Sequence, residues 1–380
     1  MKVSILTPNF SKGGVDRAYL LGQVLRKLNY EVEILGFLFG EKIYPEPPDD
    51  LPIFCLPKSS YPRSIPSLLS RIDGDVIYAV KPKPTSFGIA LLKKLLTQKP
   101  VILDIDDWEL SWSGGEKPYR PGLKQFARDL LKPNGALRSP DHVLYLQWME
   151  KLVSQANAIT IDTQFLQNRF GGVYLPNGKD TDLFDPDRYD GEASRRKYGL
   201  SNYRVLMFPG ASRPHKGLED VLSAIDYLNQ PDLRLVIVGG SPYDDYDQHL
   251  IQTWGKWIIK LPPAPVWQMP EIVAAAHVIV VPQRDTLTAQ AQFPIKLSEA
   301  MAMAKPILAT RVGDIPSILA DTGFLVDPSC PAQIASAINQ IFSDWAATCD
   351  RAQAARSRCV THYSTTAMAP ILAQVLQSLR

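Results

Sequence analysis

The strongest constraint on the fold is a pair of short apolar runs that flank a helical stretch in the last third of the chain. Residues 277–282 (HVIVVP) and 307–310 have the composition of buried parallel strands. A helix is predicted between them over residues 294–304, with Pro294 at its first position, where a missing N–H costs nothing. A Lys-Pro pair then ends the helix, because a proline disfavours the helical conformation of the residue before it. This order of elements predicts a parallel sheet covered by helices.

A helix that begins directly after a parallel strand offers a ligand site at its N-terminus. Its first N–H groups have no partner within the helix, and the positive end of the helix dipole points into the crevice at the carboxyl edge of the sheet. Lys296 and Glu299 are three residues apart on this helix and therefore share a face. A cation and a carboxylate there suit a phosphorylated ligand that also carries ribose hydroxyls. The alternative is an ordinary salt bridge on the surface of the helix.

The same alternation runs through the rest of the chain and restarts once, after a turn-rich stretch at residues 173–184. In the first half, strands are predicted over residues 3–7, 32–37, 53–56, 76–80, 101–105 and 158–162, and helices around residues 18–25, 65–71 and 87–96. In the second half, strands are predicted over residues 205–208, 233–238, 258–261 and 323–326, and helices over residues 218–228, 267–276, 332–342 and much of 352–379. A chain of 380 residues is too long for one core, so the sequence predicts an α/β protein with two doubly wound domains.

Composition excludes several other classes of protein. Hydrophobic residues make up 45% and charged residues 21% of the chain, as in soluble globular proteins, and the net charge of +2 does not indicate a nucleic-acid partner. No stretch approaches the roughly 20 apolar residues that cross a bilayer, and the N-terminus lacks the apolar core of a signal peptide, so we expect a cytoplasmic protein. The four cysteines form no CxxC pair and are expected to be buried thiols.

Two motifs at predicted strand ends in the first half are suited to ligand binding. Gly13 and Gly14 lie between the first strand and the first helix, where glycines let the backbone approach a ligand, although a tight turn would need the same residues. Asp104, Asp106 and Asp107 lie at the carboxyl end of a strand and would face the ligand crevice. They could act as a base, orient an acceptor hydroxyl or bind a cation, and Asp106 or Asp107 could instead cap a helix.

Residues 116–138 break the alternation and carry a basic amphipathic pattern. Lys124, Arg128 and Lys132 are among the basic residues, and apolar residues recur between them at roughly helical spacing. Such a helix can lie on an anionic membrane surface, or it can be an ordinary surface helix whose apolar stripe enters the core, and the sequence leaves both alternatives open. Asp141 is a candidate cap for the helix that follows, which is predicted to end near residue 153.

A basic turn over residues 209–217 (PGASRPHKG) follows the first strand of the second half. Arg213 and Lys216 are three residues apart at this strand–helix junction. Arginine offers a fork of donors to phosphate oxygens and lysine adds a compact charge, so together they could hold a diphosphate and stabilise the charge that grows on it as it leaves. A solvated basic turn is the alternative, and His215 by itself is expected to be structural or exposed.

These residues carry a family resemblance. The chain resembles the retaining glycosyltransferases of the GT-B fold, family 4 or group 1, most specifically at residues 12–14 (KGG), 176–184 (PNGKDTDLF), 213–217 (RPHKG) and 296–306 (KLSEAMAMAKP). The resemblance implies two Rossmann-like domains that face a cleft. Residues 1–178 would bind the acceptor, with residues 116–138 as a membrane or acceptor insertion, residues 179–362 would bind the nucleotide sugar, and the helix of residues 363–380 would pack back on the first domain.

The resemblance also implies roles for single residues. Arg213 and Lys216 would bind the donor diphosphate and act in catalysis together with Asp107, and Glu299 would bind the ribose. The other donor-binding residues would be Gly13, Gly14, Gly210, Gly239, Phe293, Pro294, Ile295 and Lys296, with backbone amides near residues 293–295 contacting sugar or phosphate. The residues facing the acceptor or the membrane would be Asp106, Lys124, Arg128 and Lys132.

The implied reaction moves a hexose from a UDP- or GDP-linked sugar to an acceptor hydroxyl, with retention at the anomeric carbon. Arg213 and Lys216 would stabilise the departing nucleoside diphosphate, and that phosphate could take the acceptor proton. No metal or other cofactor is expected to be required, because the two cations supply the same stabilisation. The acceptor would be a glycolipid or a cell-envelope glycan, and the protein would be peripheral on the cytoplasmic face of the membrane.

The sequence departs from the family pattern at one position of the donor site. Members of the family usually have two glutamates separated by seven residues, and Ala291 stands where the first would be, between Gln290 and Gln292. Many members also have a histidine in the N-terminal crevice, whereas the first histidine here is His142. The donor sugar therefore cannot be inferred from this site. A non-catalytic protein that binds sugar nucleotides is an alternative on the same fold, and so is an epimerase or phosphorylase.

Overall fold

The structure is a computed structural model, and it describes residues 1–11, 14–115, 119–132, 135–240 and 244–379. The chain divides into two compact units. The N-terminal unit comprises Met1–Pro176 with Met368–Arg380, and the C-terminal unit comprises Asn177–Ala367.

A parallel sheet forms the centre of the N-terminal unit, with seven strands among the described residues. These strands are β1 (Lys2–Thr7), β2 (Glu31–Leu38), β3 (Ile53–Pro57), β4 (Val76–Val80), β5 (Val101–Ile105), β6 (Ala158–Ile161) and β7 (Val173–Tyr174). They pair in the order β3-β2-β1-β4-β5-β6-β7, so the order reverses between β1 and β4. In open parallel sheets, ligands bind at the carboxyl ends of the strands where such a reversal occurs.

Helices cover both faces of this sheet, as buried parallel strands require. The helices of this unit are α1 (Val15–Lys27), α2 (Ile65–Arg71), α3 (Ile89–Thr97), α4 (Leu123–Leu131), α5 (Val143–Lys151) and α6 (Gln164–Phe170). The last helix of the chain also contributes: Met368, Leu372 and Val375 belong to the same buried cluster as residues of β1 and α1. This agrees with the expectation that the C-terminal helix packs on the N-terminal domain.

The C-terminal unit repeats the architecture with six parallel strands in the part of the chain that is described. They are β8 (Arg204–Pro209), β9 (Leu233–Val238), β10 (Ile258–Leu261), β11 (Val278–Val281), β12 (Ile307–Thr310) and β13 (Phe324–Val326). The pairing order β10-β9-β8-β11-β12-β13 reverses between β8 and β11. The helices of this unit are α7 (Gly191–Lys197), α8 (Leu218–Leu228), α9 (Tyr246–Trp254), α10 (Met269–Ala274), α11 (Leu287–Gln290), α12 (Ile295–Ala302), α13 (Ile315–Leu319), α14 (Pro331–Ser343) and α15 (Trp345–His362), and α16 (Thr365–Gln377) follows.

The central strands of the C-terminal unit are apolar because both of their faces are covered. Every residue of β11 and β12 is buried. Ile279 and Val281 belong to one hydrophobic cluster, whereas Val278 and Val280 belong to another. Successive side chains of a strand point to opposite faces, so this division is what a sheet between two helical layers produces.

The structure corrects several local predictions. Pro294 is the N-cap of α12 and not its first residue, and the short helix α11 before it was not predicted. His142, not Asp141, caps α5, since its Nδ1 atom accepts a hydrogen bond from the Leu144 N–H at 3.2 Å. The expectation of buried cysteines holds only for Cys359, because the others are half-buried free thiols. None of the described helices is both long enough and apolar enough to cross a membrane.

A buried ion pair ties α1 to the sheet of the N-terminal unit. The Arg17 guanidinium donates to the Asp104 carboxylate through Nε at 2.9 Å and Nη2 at 3.0 Å, and both side chains are almost fully buried. Its Nη2 and Nη1 atoms also donate to the carbonyls of Leu175 and Pro176, respectively, each at 2.9 Å. The Thr160 hydroxyl also donates to Asp104 at 2.6 Å. Asp104 therefore has a structural role, since it joins β5 to α1 and β6. The prediction that it faces a ligand is wrong.

Replacing Arg17 by Met should destabilise the N-terminal unit by about 3–5 kcal/mol, because Asp104 would remain buried without its counter-charge. Urea denaturation followed by circular dichroism measures this change in the free energy of unfolding. Arg26→Met is the matched control on the same helix, since Arg26 is 42% exposed and its Nε lies 3.7 Å from Asp50. The control should change stability by less than about 0.5 kcal/mol, and equal losses in both variants would contradict the assignment.

Candidate functional site

The basic turn of the C-terminal unit lies where the strand order reverses. Arg213 and Lys216 belong to the loop between β8 and α8, and Pro214–Lys216 forms one turn of 3-10 helix. Gly217 follows with φ +69°, and a Cβ atom there would collide with the carbonyl oxygen of Pro282 after β11. Only glycine fits this position, so the turn is fixed directly against the end of the neighbouring strand.

The loop that follows β11 contacts this turn. The Lys216 Nζ atom donates to the Gln292 Oε1 atom at 3.0 Å. Gln292 is adjacent to Ala291, the position where the family pattern has its first glutamate, and Ala291 is fully buried. Lys216 therefore contacts the neutral amide of Gln292 and not a carboxylate at this point of the site.

Lys296 brings a third cation to the same place from the first turn of α12. Its Nζ atom lies 4.6 Å from the centre of the Phe208 ring on β8, and a Cβ atom added at Gly210 would lie 3.7 Å from its Cε atom. Among the described residues, no carboxylate oxygen lies within 4.0 Å of its Nζ atom. Burial lowers the pKa of Lys296 to about 8, and only the charge of Glu299 opposes that shift.

His215 experiences the combined charge of these residues. Burial, and then the positive charges of Lys216, Arg213 and Lys296, lower the pKa of His215 to about 3. The imidazole is therefore neutral at physiological pH. The three cations all lower the pKa of His215, and Arg213, His215 and Lys216 are only partly exposed, so the turn is not the fully solvated one of the alternative.

Glu299 pairs with a residue that the sequence analysis did not single out. Its Oε1 atom lies 2.6 Å from the Nζ atom of Lys179, and both side chains are largely buried. The alternative of a surface salt bridge between Lys296 and Glu299 is therefore wrong. The motif of residues 176–184 specifies no residue type at position 179. The motif therefore did not indicate a role for Lys179.

The remaining predicted donor residues are placed as follows. The Phe293 side chain is packed in the core beside Tyr363, with 6.0 Å between ring centres, so only its backbone could meet a ligand. Pro294 has no N–H to offer, which corrects the expectation of backbone amides throughout residues 293–295 and leaves Ile295 as the next donor. The Gly239 N–H donates to the Leu261 carbonyl at 2.9 Å, so it extends the pairing of β9 with β10.

The N-terminal unit has a second cluster where its own strand order reverses. Gly13 lies outside the described residues. Gly14 follows β1 with φ +117°, and a Cβ atom there would lie 2.9 Å from the Cε atom of Lys81. Lys81 follows β4 and is itself buried with φ +65°. The backbone conformation at position 14 therefore favours glycine, and the Lys81 side chain lies directly against it.

Lys81 is surrounded by carboxylates. Its Nζ atom lies 2.9 Å from Glu109, 3.3 Å from Asp106 and 3.7 Å from Asp107. Lys83 binds the other oxygen of Glu109 at 2.9 Å. Among the described residues, no group of three or more His, Cys, Asp or Glu side chains is arranged to hold a metal ion.

The carboxylates in this cluster differ in their proton affinity. Burial raises the pKa of Asp106 to about 6, against the attraction of Lys81. Burial acts to raise the pKa of Glu109, but the charges of Lys81 and Lys83 outweigh burial and lower this pKa to about 2. Asp107 accepts a hydrogen bond from the Trp112 indole N–H at 3.0 Å. Neither Asp106 nor Asp107 caps a helix, since the helical turn Glu109–Ser113 has no side-chain cap.

Lys81 and Lys83 are the residues of this cluster that the sequence analysis missed. Lys81 directly follows a predicted strand, and this position was the only signal that could have identified it. Its partners come from a different strand end, and only the sheet order brings them together.

The apolar stripe of α4 is exposed. The relative exposure is 91% for Leu123, 43% for Phe126, 48% for Leu130 and 71% for Leu131. The basic residues of the helix, Lys124 and Arg128, and Lys132 after it are exposed as well. The alternative in which this stripe enters the core is therefore wrong. Residues 116–118 and 133–134 of the predicted insertion lie outside the described residues.

Comparison with known proteins supports the resemblance. Residues 203–344, which lie in the C-terminal unit, match the family model "Glycosyl transferases group 1". The chain is 28% identical, over 52% of its length and 56% of the relative, to the GDP-mannose-dependent alpha-(1-6)-phosphatidylinositol monomannoside mannosyltransferase of Mycolicibacterium smegmatis. It is 29% identical, over 51% of both chains, to the D-inositol 3-phosphate glycosyltransferase of Corynebacterium glutamicum. The chain thus spans about half the length of the curated relatives it matches.

Solved structures match the whole chain. Anabaena HepE in complex with UDP and glucose has a TM-score of 0.77 and 18% identity, over 100% of both chains. The sucrose-phosphate synthase of Thermosynechococcus elongatus has a TM-score of 0.71 and 16% identity, over 100% of this chain and 99% of the other. These likenesses establish the fold alone, and the predicted GT-B fold with two Rossmann-like domains is confirmed.

The titration of Lys296 tests the charge of the C-terminal site. Because its folded-state pKa of about 8 lies below the ordinary value of 10.5, the unligated protein should gain stability as pH rises from 8 to 10.5. Pyrophosphate should raise this pKa, because an anion stabilises the ammonium form. The ¹³Cε chemical shift of the lysine, assigned by comparison with a Lys296→Arg variant, measures the pKa directly. A value near 10.5 without ligand would contradict the site geometry.

Proposed function

We propose that this protein is a glycosyltransferase that moves a hexose from a UDP- or GDP-linked sugar to an acceptor hydroxyl. The observation that carries the proposal is the position of three cations at the carboxyl ends of β8 and β11. Arg213 and Lys216 lie in the loop after β8, Lys216 contacts Gln292 after β11, and Lys296 reaches back to Gly210. Three cations beside the N-terminus of α12 form an anion site with the charge and donors that a diphosphate needs. Glu299 lies one turn further along the same helix, where it can accept hydrogen bonds from ribose hydroxyls.

The relatives support a nucleotide sugar as donor. The mycobacterial relative is named for its use of GDP-mannose, and the HepE structure holds UDP with glucose. A uridine or guanosine diphosphate therefore fits the proposal equally well. Ala291 replaces a carboxylate that other family members have, so the sugar is recognised by different groups here.

The chemical step proposed is substitution at the anomeric carbon with retention of configuration. The bond between that carbon and the β-phosphate oxygen breaks, and the acceptor oxygen forms the new bond. Arg213 and Lys216 stabilise the negative charge that develops on the departing diphosphate, and Lys296 adds to it. The acceptor proton passes to a phosphate oxygen, so no separate base and no metal ion are required by this scheme.

The acceptor is assigned to the N-terminal unit. Asp106 lies at the carboxyl end of β5 with its pKa raised to about 6, so at neutral pH it is mostly ionised and can accept a hydrogen bond from an acceptor hydroxyl. Asp107 is held by Lys81 and Trp112 and would fix the geometry of this cluster. Both assignments extend the sequence prediction and rest on position and burial.

We further propose a lipid-linked acceptor and a peripheral position on an anionic membrane. The exposed apolar stripe of α4 with its adjoining basic residues is the composition of helices that lie in the membrane interface. The name of the mycobacterial relative contains phosphatidylinositol monomannoside, a glycolipid, which supports a membrane-bound substrate here. In this orientation the apolar side chains enter the headgroup region and the lysines and arginine contact lipid phosphates.

Replacing Arg213 by Ala should lower turnover by about 100- to 1000-fold, because one donor to the leaving group is lost. Turnover is measured without added acceptor, as the slow hydrolysis of UDP- and GDP-hexoses. The released nucleoside diphosphate is quantified. Arg204→Ala is the matched control, at the opposite end of the strand that precedes the basic turn. Arg204 lies at the amino end of β8 and pairs with Asp232 at 2.7 Å, so its loss should leave turnover unchanged.

Two results would contradict the proposal. An Arg213→Ala variant with full turnover would remove the role of the basic turn. A wild-type protein that binds a nucleotide sugar but releases no sugar would favour the alternative of a non-catalytic binding protein.

Replacing Lys124, Arg128 and Lys132 by Gln should weaken partitioning onto vesicles of phosphatidylcholine and phosphatidylglycerol. The expected loss is about 100-fold, from about 1 kcal/mol for each basic residue near an anionic surface. Vesicle sedimentation measures the partition coefficient.

The matched control removes the same charge from another surface of the N-terminal unit. Lys42, Lys58 and Arg63 are all exposed, and their replacement by Gln should have little effect. Equal partitioning of the two triple variants would refute membrane binding through α4.

A further inference from the structure

The ion pair between Lys179 and Glu299 lies inside the C-terminal unit and is nearly shielded from water. The Nζ atom of Lys179 lies 2.6 Å from Glu299 Oε1, with side-chain exposures of 14% and 12%. The same Nζ atom lies 4.4 Å from the ring centre of Phe184, which is fully buried. The ammonium is therefore confined between a carboxylate and an aromatic face.

The backbone holds Lys179 rigidly in this position. Its N–H donates to the Tyr363 carbonyl at 2.8 Å, and its carbonyl accepts from the Thr365 N–H at 2.9 Å. The Ser298 hydroxyl on α12 contacts the nearby Asn177 carbonyl at 3.4 Å. The lysine is thus presented to α12 from a segment that is itself hydrogen-bonded on both sides.

Glu299 has a second cation within reach. Lys296 is three residues earlier on α12, the spacing at which oppositely charged side chains of a helix normally pair. In the structure Glu299 pairs with Lys179 instead. Lys296 consequently has no carboxylate oxygen within 4.0 Å among the described residues, and its charge is retained for the anion site.

We propose that Lys179 is a positioning residue that keeps Glu299 away from Lys296. One face of α12 then presents two separate groups, a carboxylate with its Oε2 atom available for ribose hydroxyls and an ammonium available for the diphosphate. The inference rests on the proposed function, because it assumes that a nucleoside diphosphate binds at this site. Without Lys179, Glu299 turns to Lys296, and both groups are lost to the ligand.

Two binding measurements follow from this mechanism. Calorimetric affinities for UDP, GDP and their 2′-deoxy analogues report on Glu299, because only the ribose form offers the 2′-hydroxyl. The affinity for pyrophosphate, which has no ribose, reports on Lys296. In Lys179→Met, pyrophosphate affinity should fall about tenfold, as expected for a weakened interaction between charged groups, and the preference for ribose over deoxyribose should disappear.

A double variant separates positioning from a merely structural role. Glu299→Ala should lose the ribose preference and keep its affinity for pyrophosphate. In Lys179→Met with Glu299→Ala, pyrophosphate affinity should return to the wild-type value, because no carboxylate remains to neutralise Lys296. A structural defect would persist in the double variant and would overturn the proposal.

Conservative and distant variants complete the comparison. Lys179→Arg keeps the positive charge and should restore both measurements, and Lys179→Gln replaces the Met variant if that chain does not fold. Lys197→Met is the matched control, since Lys197 pairs with Glu271 at 2.8 Å on the surface of the same unit. It should bind all ligands as the wild type does.

The outcomes distinguish this inference from the proposed function. If Lys179→Met keeps both the ribose preference and the pyrophosphate affinity, while Arg213→Ala loses nucleotide binding, the positioning role is overturned and the proposed function stands. If the wild type binds neither nucleotides nor pyrophosphate, the proposed function fails and the positioning role fails with it.

Discussion

Positive charge collected at one point of the C-terminal sheet is the constraint on which the proposed chemistry depends. Arg213 and Lys216 follow β8, Lys296 follows β11, and these two strands are neighbours because the sheet order reverses between them. Burying an ammonium without a nearby carboxylate costs free energy, and the lowered pKa of Lys296 reflects that cost. A fold retains such an arrangement where a bound anion offsets the cost, as a diphosphate would.

The two units share an architecture and differ in the charge they place at the corresponding edge. In the N-terminal unit, the strand order reverses between β1 and β4, and Lys81 lies there among Asp106, Asp107 and Glu109. Carboxylates exceed cations in this cluster, whereas Arg213, Lys216 and Lys296 give the corresponding edge of the C-terminal sheet a positive charge. This contrast agrees with the proposal that the C-terminal unit binds an anionic donor and the N-terminal unit binds the hydroxyl groups of an acceptor.

Much of the fold was predictable because parallel strands buried on both faces are continuous apolar runs. Strands such as β4, β5, β9 and β12 have the predicted bounds, since short apolar runs bounded by turns and helices are typical of strands that are buried on both faces. Predictions failed where a residue's surroundings outweighed its local pattern. The apolar stripe of α4 has the period of a core helix, yet it is exposed, because periodicity alone does not state what covers a helix face.

The sequence by itself determined the fold class and the loops that carry the residues of the proposed donor site, because strand–helix periodicity and motif order are local properties. It did not determine which charged groups pair. Lys179 and Glu299 are 120 residues apart, and Glu299 had a nearer candidate in Lys296. The tertiary structure decided between them, because the hydrogen-bonded segment around Lys179 places its ammonium where Glu299 can reach it. Partner choice among buried charges depends on distance in space, which no spacing along the chain records.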